Sequence, residues 1–222
     1  MDVVKLDFPD KDLFILADGD WRGYRSRPCA KEPETVEWIR SFEKGSVLWD
    51  VGASVGPYSL IAAALGHRVV AFEPFAPSYG HLQQNIWLNE MSDLIRSAPI
   101  AFSRLPMFNH GRWEASSIHP GSASHGNGSY YLDIISVGVD AFADRTAGPV
   151  PSHVKIDVDG AELGVIEGGR ELWKQVDSIM VESEPPTVDD ITVILSGAGL
   201  EMVDSWKRLG ETKQHNYLYR RA

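Results

Sequence analysis

The chain has a single cysteine, Cys29, in 222 residues, which rules out an internal disulfide framework and a zinc site built from cysteine pairs. Positive charge is also scarce: 21 lysines and arginines face 31 aspartates and glutamates, a formal net charge of −10. A protein of that sign is repelled by phosphate backbones and anionic bilayers, so neither nucleic acid nor membrane is an expected partner. No stretch approaches the about 18 uninterrupted apolar residues of a membrane span, and the opening Met1-Asp2-Val3-Val4-Lys5-Leu6-Asp7 lacks the basic start and apolar run of an export signal. The expected location is the cytoplasm. Histidine spacing that would suit a metal is missing too: His110, His119, His125 and His215 read as solvated loop residues, and so do His67 and His153, which stand at strand starts. No internal repeat is visible.

What is present is the composition of an ordinary globular protein, 43% apolar and 23% charged, long enough for one domain with a sizeable core over residues 1–222. From about 46 to 200, short apolar runs alternate with helical patterns, the signature of βαβ units and a parallel sheet. Strands are expected at 46–53, 68–74, 94–102, 153–157 and 178–182, with two closing strands at 200–206 and 216–220 whose short connection fits an antiparallel hairpin. Helices are expected at 56–65, 77–89 and 161–175, and after Pro185-Pro186, where Val188, Ile191, Leu195 and Ala198 share a face. Residues 1–45 read as short strands plus a helix over 33–42, a lid or added layer. Residues 104–130, rich in Gly, Ser, His and Asn, lose all periodicity and read as a long loop or loose hairpin. Such a flap could cover an acceptor, with Trp113, Tyr130 and Tyr131 available to stack on a sugar face.

The most informative stretch is Asp50-Val51-Gly52-Ala53-Ser54-Val55-Gly56, a buried strand running through glycines into a helix. That geometry lets backbone approach a ligand and aims the first N–H groups of the helix at it. The dinucleotide pattern G-x-G-x-x-G fails, because Ser54 and Pro57 stand where its second and third glycines belong. Asp50 would repel a pyrophosphate and suits a cationic ligand better. Glu73 ends the next strand, 21 residues after Gly52, where a carboxylate can accept two hydrogen bonds from ribose hydroxyls. An adenosine, an acid seeking a cation and no phosphate cradle together describe S-adenosylmethionine.

With those residues in place, the chain resembles the FkbM family of methyltransferases. The resemblance is carried by Trp49 to Leu60, by Val70-Ala71-Phe72-Glu73-Pro74 followed by His81 to Ile86 and Asn89, and by Val154 to Leu163. Asp140 and the terminal Asn216-Tyr217-Leu218-Tyr219 are similar to weaker landmarks. This resemblance implies an α/β, Rossmann-like class I methyltransferase fold, a mostly parallel seven-stranded sheet with the last strand antiparallel and helices on both faces. It also implies O-methylation of a hydroxyl on a small molecule such as a sugar, glycan or polyketide, with S-adenosylhomocysteine as product. Methylation at nitrogen or carbon, and a non-catalytic binding module, are the alternatives.

Asp50, Gly52, Ala53, Ser54, Gly56, Tyr58, Glu73 and Pro74 match the cofactor-binding motifs. The family usually has asparagine at the position of Ser54, glutamate at that of Asp159, and a small polar or acidic residue at that of Phe75. Asp157 closes the fourth core strand on the edge where open α/β sheets bind ligands, so Asp157, Asp159 and Glu182 are the expected catalytic acids, with Glu162 and Glu184 nearby. Glu162 reads first as an acid at a helix N-terminus. Lys155, two residues before Asp157, shares its sheet face and is the expected partner of its charge. A divalent metal is left open and no metal ligand is assigned.

Overall fold

The computed structural model describes residues 2–17, 25–104, 107–114, 129–146, 148–207 and 215–222. In chain order the strands are β1 (Asp2–Lys5), β2 (Phe14–Ala17), β3 (Val47–Val51), β4 (Arg68–Phe72), β5 (Ile95–Ala98), β6 (Ala101–Ser103), β7 (Met107–Glu114), β8 (Ser129–Gly138), β9 (His153–Ile156), β10 (Ser178–Ser183), β11 (Leu200–Lys207) and β12 (His215–Arg221). The helices are α1 (Pro28–Lys31), α2 (Pro33–Arg40), α3 (Pro57–Ala64), α4 (Ala76–Leu88), α5 (Val139–Arg145), α6 (Glu162–Gly168) and α7 (Pro185–Gly197), with a 3-10 turn at Leu172–Lys174.

Seven strands form the central sheet in the order β11-β12-β10-β9-β3-β4-β5. All neighbours from β10 to β5 run parallel, and β12 is antiparallel to both β10 and β11. The fold is therefore the Rossmann-like α/β class expected. Its inner strands read as unbroken apolar runs because both faces are covered. On one face Leu48, Val69, Ala71, Met180 and Leu218 pack with α2, α3 and α4; on the other Trp49, Val51, Phe72, Ile156 and Val181 pack with α5, α6 and α7.

Two expectations of secondary structure change. The strand expected at 94–102 is two strands: β5 stays in the main sheet, while β6 joins a smaller sheet of order β6-β8-β7. Pro99 stands between them with no N–H to donate, which ends the pairing. The helix expected at 161–175 stops at Gly168, where a Cβ would lie 2.3 Å from the Ser103 carbonyl oxygen, so helix and β6 touch backbone to backbone. Asp140, in α5, accepts hydrogen bonds from the N–H groups of Glu171 and Leu172 at 3.1 and 2.8 Å and shapes the turn beyond. Of the long loop or loose hairpin expected over 104–130, the described residues agree with the hairpin: β7 and β8 pair in antiparallel register from Met107↔Ser136 to Glu114↔Ser129. The side chains of Trp113, Tyr130 and Tyr131 lie outside what is described.

Two asparagines join the N-terminal hairpin to the core. Asn85 accepts from Leu16 N–H at 2.7 Å and donates to the Val55 carbonyl at 2.9 Å, while Asn89 brackets Phe14 through both N–H and C=O. Satisfying buried backbone groups with side chains in this way fixes β2 against α4.

Histidines 67 and 153 are not solvated as expected. Both are buried at the starting edge of the sheet, where His153 stacks on Phe42 at 3.7 Å between centroids and meets Ser178 Oγ at 2.8 Å. Burial pushes both imidazoles down in pKa, His153 to about 4.

Candidate active site

The carboxyl edge of the sheet holds the expected residues in two adjoining halves. In the first, β3 delivers Asp50 and then turns at Gly52, whose N–H, with that of Ala53, donates to the Phe72 carbonyl at 2.9 and 3.0 Å. Gly52 has φ +84°, and a Cβ on it would lie 1.8 Å from the Asp157 carbonyl oxygen. No other residue fits where the ends of β3 and β9 meet.

Glu73 follows β4 and faces this turn. Its Oε2 accepts from Ser54 N–H and its Oε1 from Phe75 N–H, each at 2.8 Å. Burial pushes the carboxyl up to about 7 against the pull of those two donors. Each oxygen keeps a second lone-pair direction, which is what two ribose hydroxyls require. Pro74 continues the chain from here, half-buried. Ser54 has φ 53°, in the left-handed region where asparagine is favoured.

Asp50 is buried, 1% exposed, and accepts from Ser59 Oγ at 2.6 Å through Oδ2. Its Oδ1 has no hydrogen-bond partner among the described residues. An acceptor left without a donor in the interior is costly, and a ligand ammonium would satisfy it. Burial raises the Asp50 pKa, with Lys155 pulling the other way.

The second half lies at the ends of β9 and β10. Lys155 Nζ sits 2.8 Å from Asp157 Oδ2 and 5.0 Å above the Tyr58 ring, so Tyr58 faces the lysine. Carboxylate oxygens of Glu32, Asp157 and Glu182 all lie within 4.8 Å of one another. Glu32 comes from the residue just before α2, is fully buried, and pairs with Lys31 at 2.7 Å. Burial works to raise its pKa, but Lys155 and then Lys31 bring it below the ordinary value. Lys155 is itself raised: burial opposes its charge, and Asp157, Glu32, Asp50 and Glu182 together outweigh that. A divalent cation would suit the same spacing of oxygens, but the ammonium of Lys155 already supplies positive charge there.

Of the five acids expected along this edge, Asp157 and Glu182 meet. Asp159 is exposed, in a left-handed turn with φ 53°, and its charge acts on Glu73. Glu162 instead accepts from the N–H groups of Gly160 at 2.9 Å and Val158 at 3.3 Å, ordering the loop after Asp157. Glu184 is exposed at the start of α7. Glu32 was not foreseen. Nothing local marks it, because its role depends on α2 lying along β10, fixed by Trp38 Nε1 to Ser178 Oγ on β10 at 2.9 Å and by Asn216 of β12 to Glu34 at 2.8 Å.

Comparison with known proteins bears on what such an edge does. The model of the methyltransferase FkbM domain matches residues 50–211. Hexuronic acid methyltransferase AglP of Haloferax volcanii is 28% identical over 182 residues, covering 80% of this chain and 73% of its own. Among solved structures, methyltransferase FkbM from Methylobacillus flagellatus KT superposes with a TM-score of 0.57 at 16% identity, over 79% of this chain and 44% of that one. TYW2 of P. horikoshii, solved in complex with MeSAdo, superposes with a TM-score of 0.58 at 13% identity, over 98% of this chain and 70% of that one. At such identities the structural likeness speaks for the fold. Among the described residues, no helix is long and apolar enough to cross a membrane.

Proposed function

Because this chain belongs to the FkbM methyltransferase domain family, we propose that it transfers a methyl group from S-adenosylmethionine to an oxygen atom of a sugar. The observation that carries the cofactor assignment is the pair of acids flanking the Gly52 turn, Glu73 with two spare acceptor directions and Asp50 with an unpartnered buried oxygen. Glu73 would hold the ribose hydroxyls and Asp50 the ammonium. The sugar assignment rests on the relative named for hexuronic acid. Residues 1–45 belong to the same domain on this reading, since α2 packs on the sheet and places Glu32 at its edge.

When bound, S-adenosylmethionine supplies an electrophilic methyl on a positively charged sulfur. Asp157, the most exposed member of the carboxylate group at the β9 tip, would orient the acceptor hydroxyl and receive its proton as the oxygen–carbon bond forms and the carbon–sulfur bond breaks. Holding the oxygen in line contributes about 7 to 11 kcal/mol in well-oriented systems, and removing the proton about 10²- to 10⁴-fold in rate. If the accepting oxygen belongs instead to a hexuronate carboxylate, it carries no proton, and Asp157 has only a positioning task.

The test is incubation with S-adenosylmethionine and a panel of methyl glycosides of neutral hexoses and of hexuronic acids, read by mass spectrometry. One added methyl on a sugar is expected. Absence of S-adenosylhomocysteine binding by calorimetry at millimolar concentration would overturn the cofactor assignment, and transfer only to a nitrogen or carbon acceptor would overturn the oxygen assignment.

A further inference from the structure

A buried lysine with several acids around it is an arrangement in which each charge depends on the others. Lys155 is 3% exposed, its ammonium is 2.8 Å from Asp157, and it stands beside Asp50 and Met180 in the sheet register. On the next row of the same face come Asp157 and Glu182, and above them Glu32 closes the group, its oxygen within 4.8 Å of both. Glu32 and Glu182 are buried while Asp157 reaches solvent. Only Asp157 is therefore placed to touch an acceptor, and the others act through it.

We propose that Lys155 and Glu32 are positioning residues for Asp157. The lysine fixes its carboxylate as an ion at the sheet edge. The glutamate, brought in by a helix outside the matched family domain, competes for the lysine and sets how much of that charge Asp157 receives. The proposal rests on the reading of Asp157 as the residue that serves the acceptor. Its physical content is a difference of sign. An opposite charge in contact favours the ionised carboxylate, and a like charge at the same range disfavours it. Lys155 and Glu32 must therefore push Asp157 in opposite directions. The other groups whose charge acts on it are Asp50, Glu162 and Glu182, with Lys31 beside Glu32 and the Tyr58 ring against Lys155, and both substitutions leave all five in place.

The experiment is a carbon-13 NMR titration of the Asp157 carboxyl in the full chain, assigned by its loss in Asp157→Asn, for wild type, Lys155→Met and Glu32→Gln. It needs no acceptor and stands apart from turnover. Lys155→Met should move the Asp157 midpoint up by about one unit or more, and Glu32→Gln should move it down. With whichever sugar the wild type methylates, both variants should change kcat for the acceptor and leave S-adenosylhomocysteine affinity within about threefold, a split that general destabilisation does not produce. Should Lys155→Met fail to fold, Glu32→Gln decides alone. An unmoved or upward midpoint in Glu32→Gln overturns the proposal, as does an unmoved one in a folded Lys155→Met. Opposite shifts without any sugar methylation would keep the charge linkage and discard the sugar reading.

Discussion

On the β3–β4 side of the carboxyl edge, Glu73 is held by backbone N–H groups 19 and 2 residues away along the chain. On the β9–β10 side, Asp157 is held by the side chain of Lys155 and shares its surroundings with Glu32, which lies 125 residues earlier. The first half is built from backbone geometry that a strand, a glycine turn and a helix create locally. The second is built from side-chain charges on neighbouring strands, to which the packing of α2 on the sheet adds Glu32. One half should therefore respond to substitution as a rigid cradle and the other as a coupled electrostatic group. Gly52, where the two touch, belongs to both.

The largest expected effect is at that contact. Gly52→Ala must displace the Asp157 carbonyl, against which its Cβ would lie at 1.8 Å, while keeping φ near +84°. Overpacking and left-handed strain together should cost about 2 to 5 kcal/mol, measured by urea unfolding, and both halves should lose function together. Gly45→Ala is the control, since Gly45 has φ +83° with nothing within 4 Å of the added carbon; it should cost about 1 to 2 kcal/mol. Equal losses at the two sites would remove the claim that Gly52 is a joint.

Next comes the cradle alone. Glu73→Ala removes a carboxylate expected to receive two ribose hydrogen bonds, and should weaken S-adenosylhomocysteine binding by about 2 to 4 kcal/mol, roughly 30- to 1000-fold. Because the Glu73 carboxyl sits up at about 7, wild-type affinity should also fall as pH drops below that value and an acceptor oxygen takes a proton. Calorimetry from pH 8 to pH 6 checks both. A flat profile with an unaffected variant would move the ribose elsewhere.

Asp157→Asn probes the coupled half. Turnover on a hydroxyl acceptor should fall at least about 10²-fold, with cofactor affinity unchanged. Lys155 keeps Glu32, Asp50 and Glu182 around it, so the stability lost should stay well below the about 3 to 5 kcal/mol of an isolated buried pair. A variant that melts early yet turns over normally would make Asp157 a structural acid. Normal turnover with normal melting would point to a carboxylate acceptor.

The smallest effect separates this edge from the opposite one. His153, pushed down to about 4 from 6.5, binds fewer protons in the folded than in the unfolded chain between those values. Its share of stability is present above 6.5 and drains away as pH falls toward 4. Glu73, raised from 4.5 to about 7, works the other way: its share is present below 4.5 and is lost as pH rises through 7. Melting temperature followed in wild type and His153→Phe should show a smaller acid-side loss in the variant, which keeps the contribution of His67.

The sequence alone settled what depends on neighbours along the chain. The alternation of buried strands with one-faced helices, the glycine turn from Asp50 to Gly56 and the acid at the end of β4 all follow from local backbone preferences and hydrophobic periodicity. Lys155 was legible as the partner of Asp157 because a strand repeats every two residues. Only the tertiary structure decided the rest. Pro99 splitting one strand into two sheets, Gly168 ending α6 against Ser103, and His153 buried under Phe42 each depend on what another segment presents. Glu32 is the clearest case. As sequence it is one acid among the 31 aspartates and glutamates. It becomes part of the site because α2 packs along β10 and places it at the carboxyl edge, and no periodicity records a contact between residues that far apart.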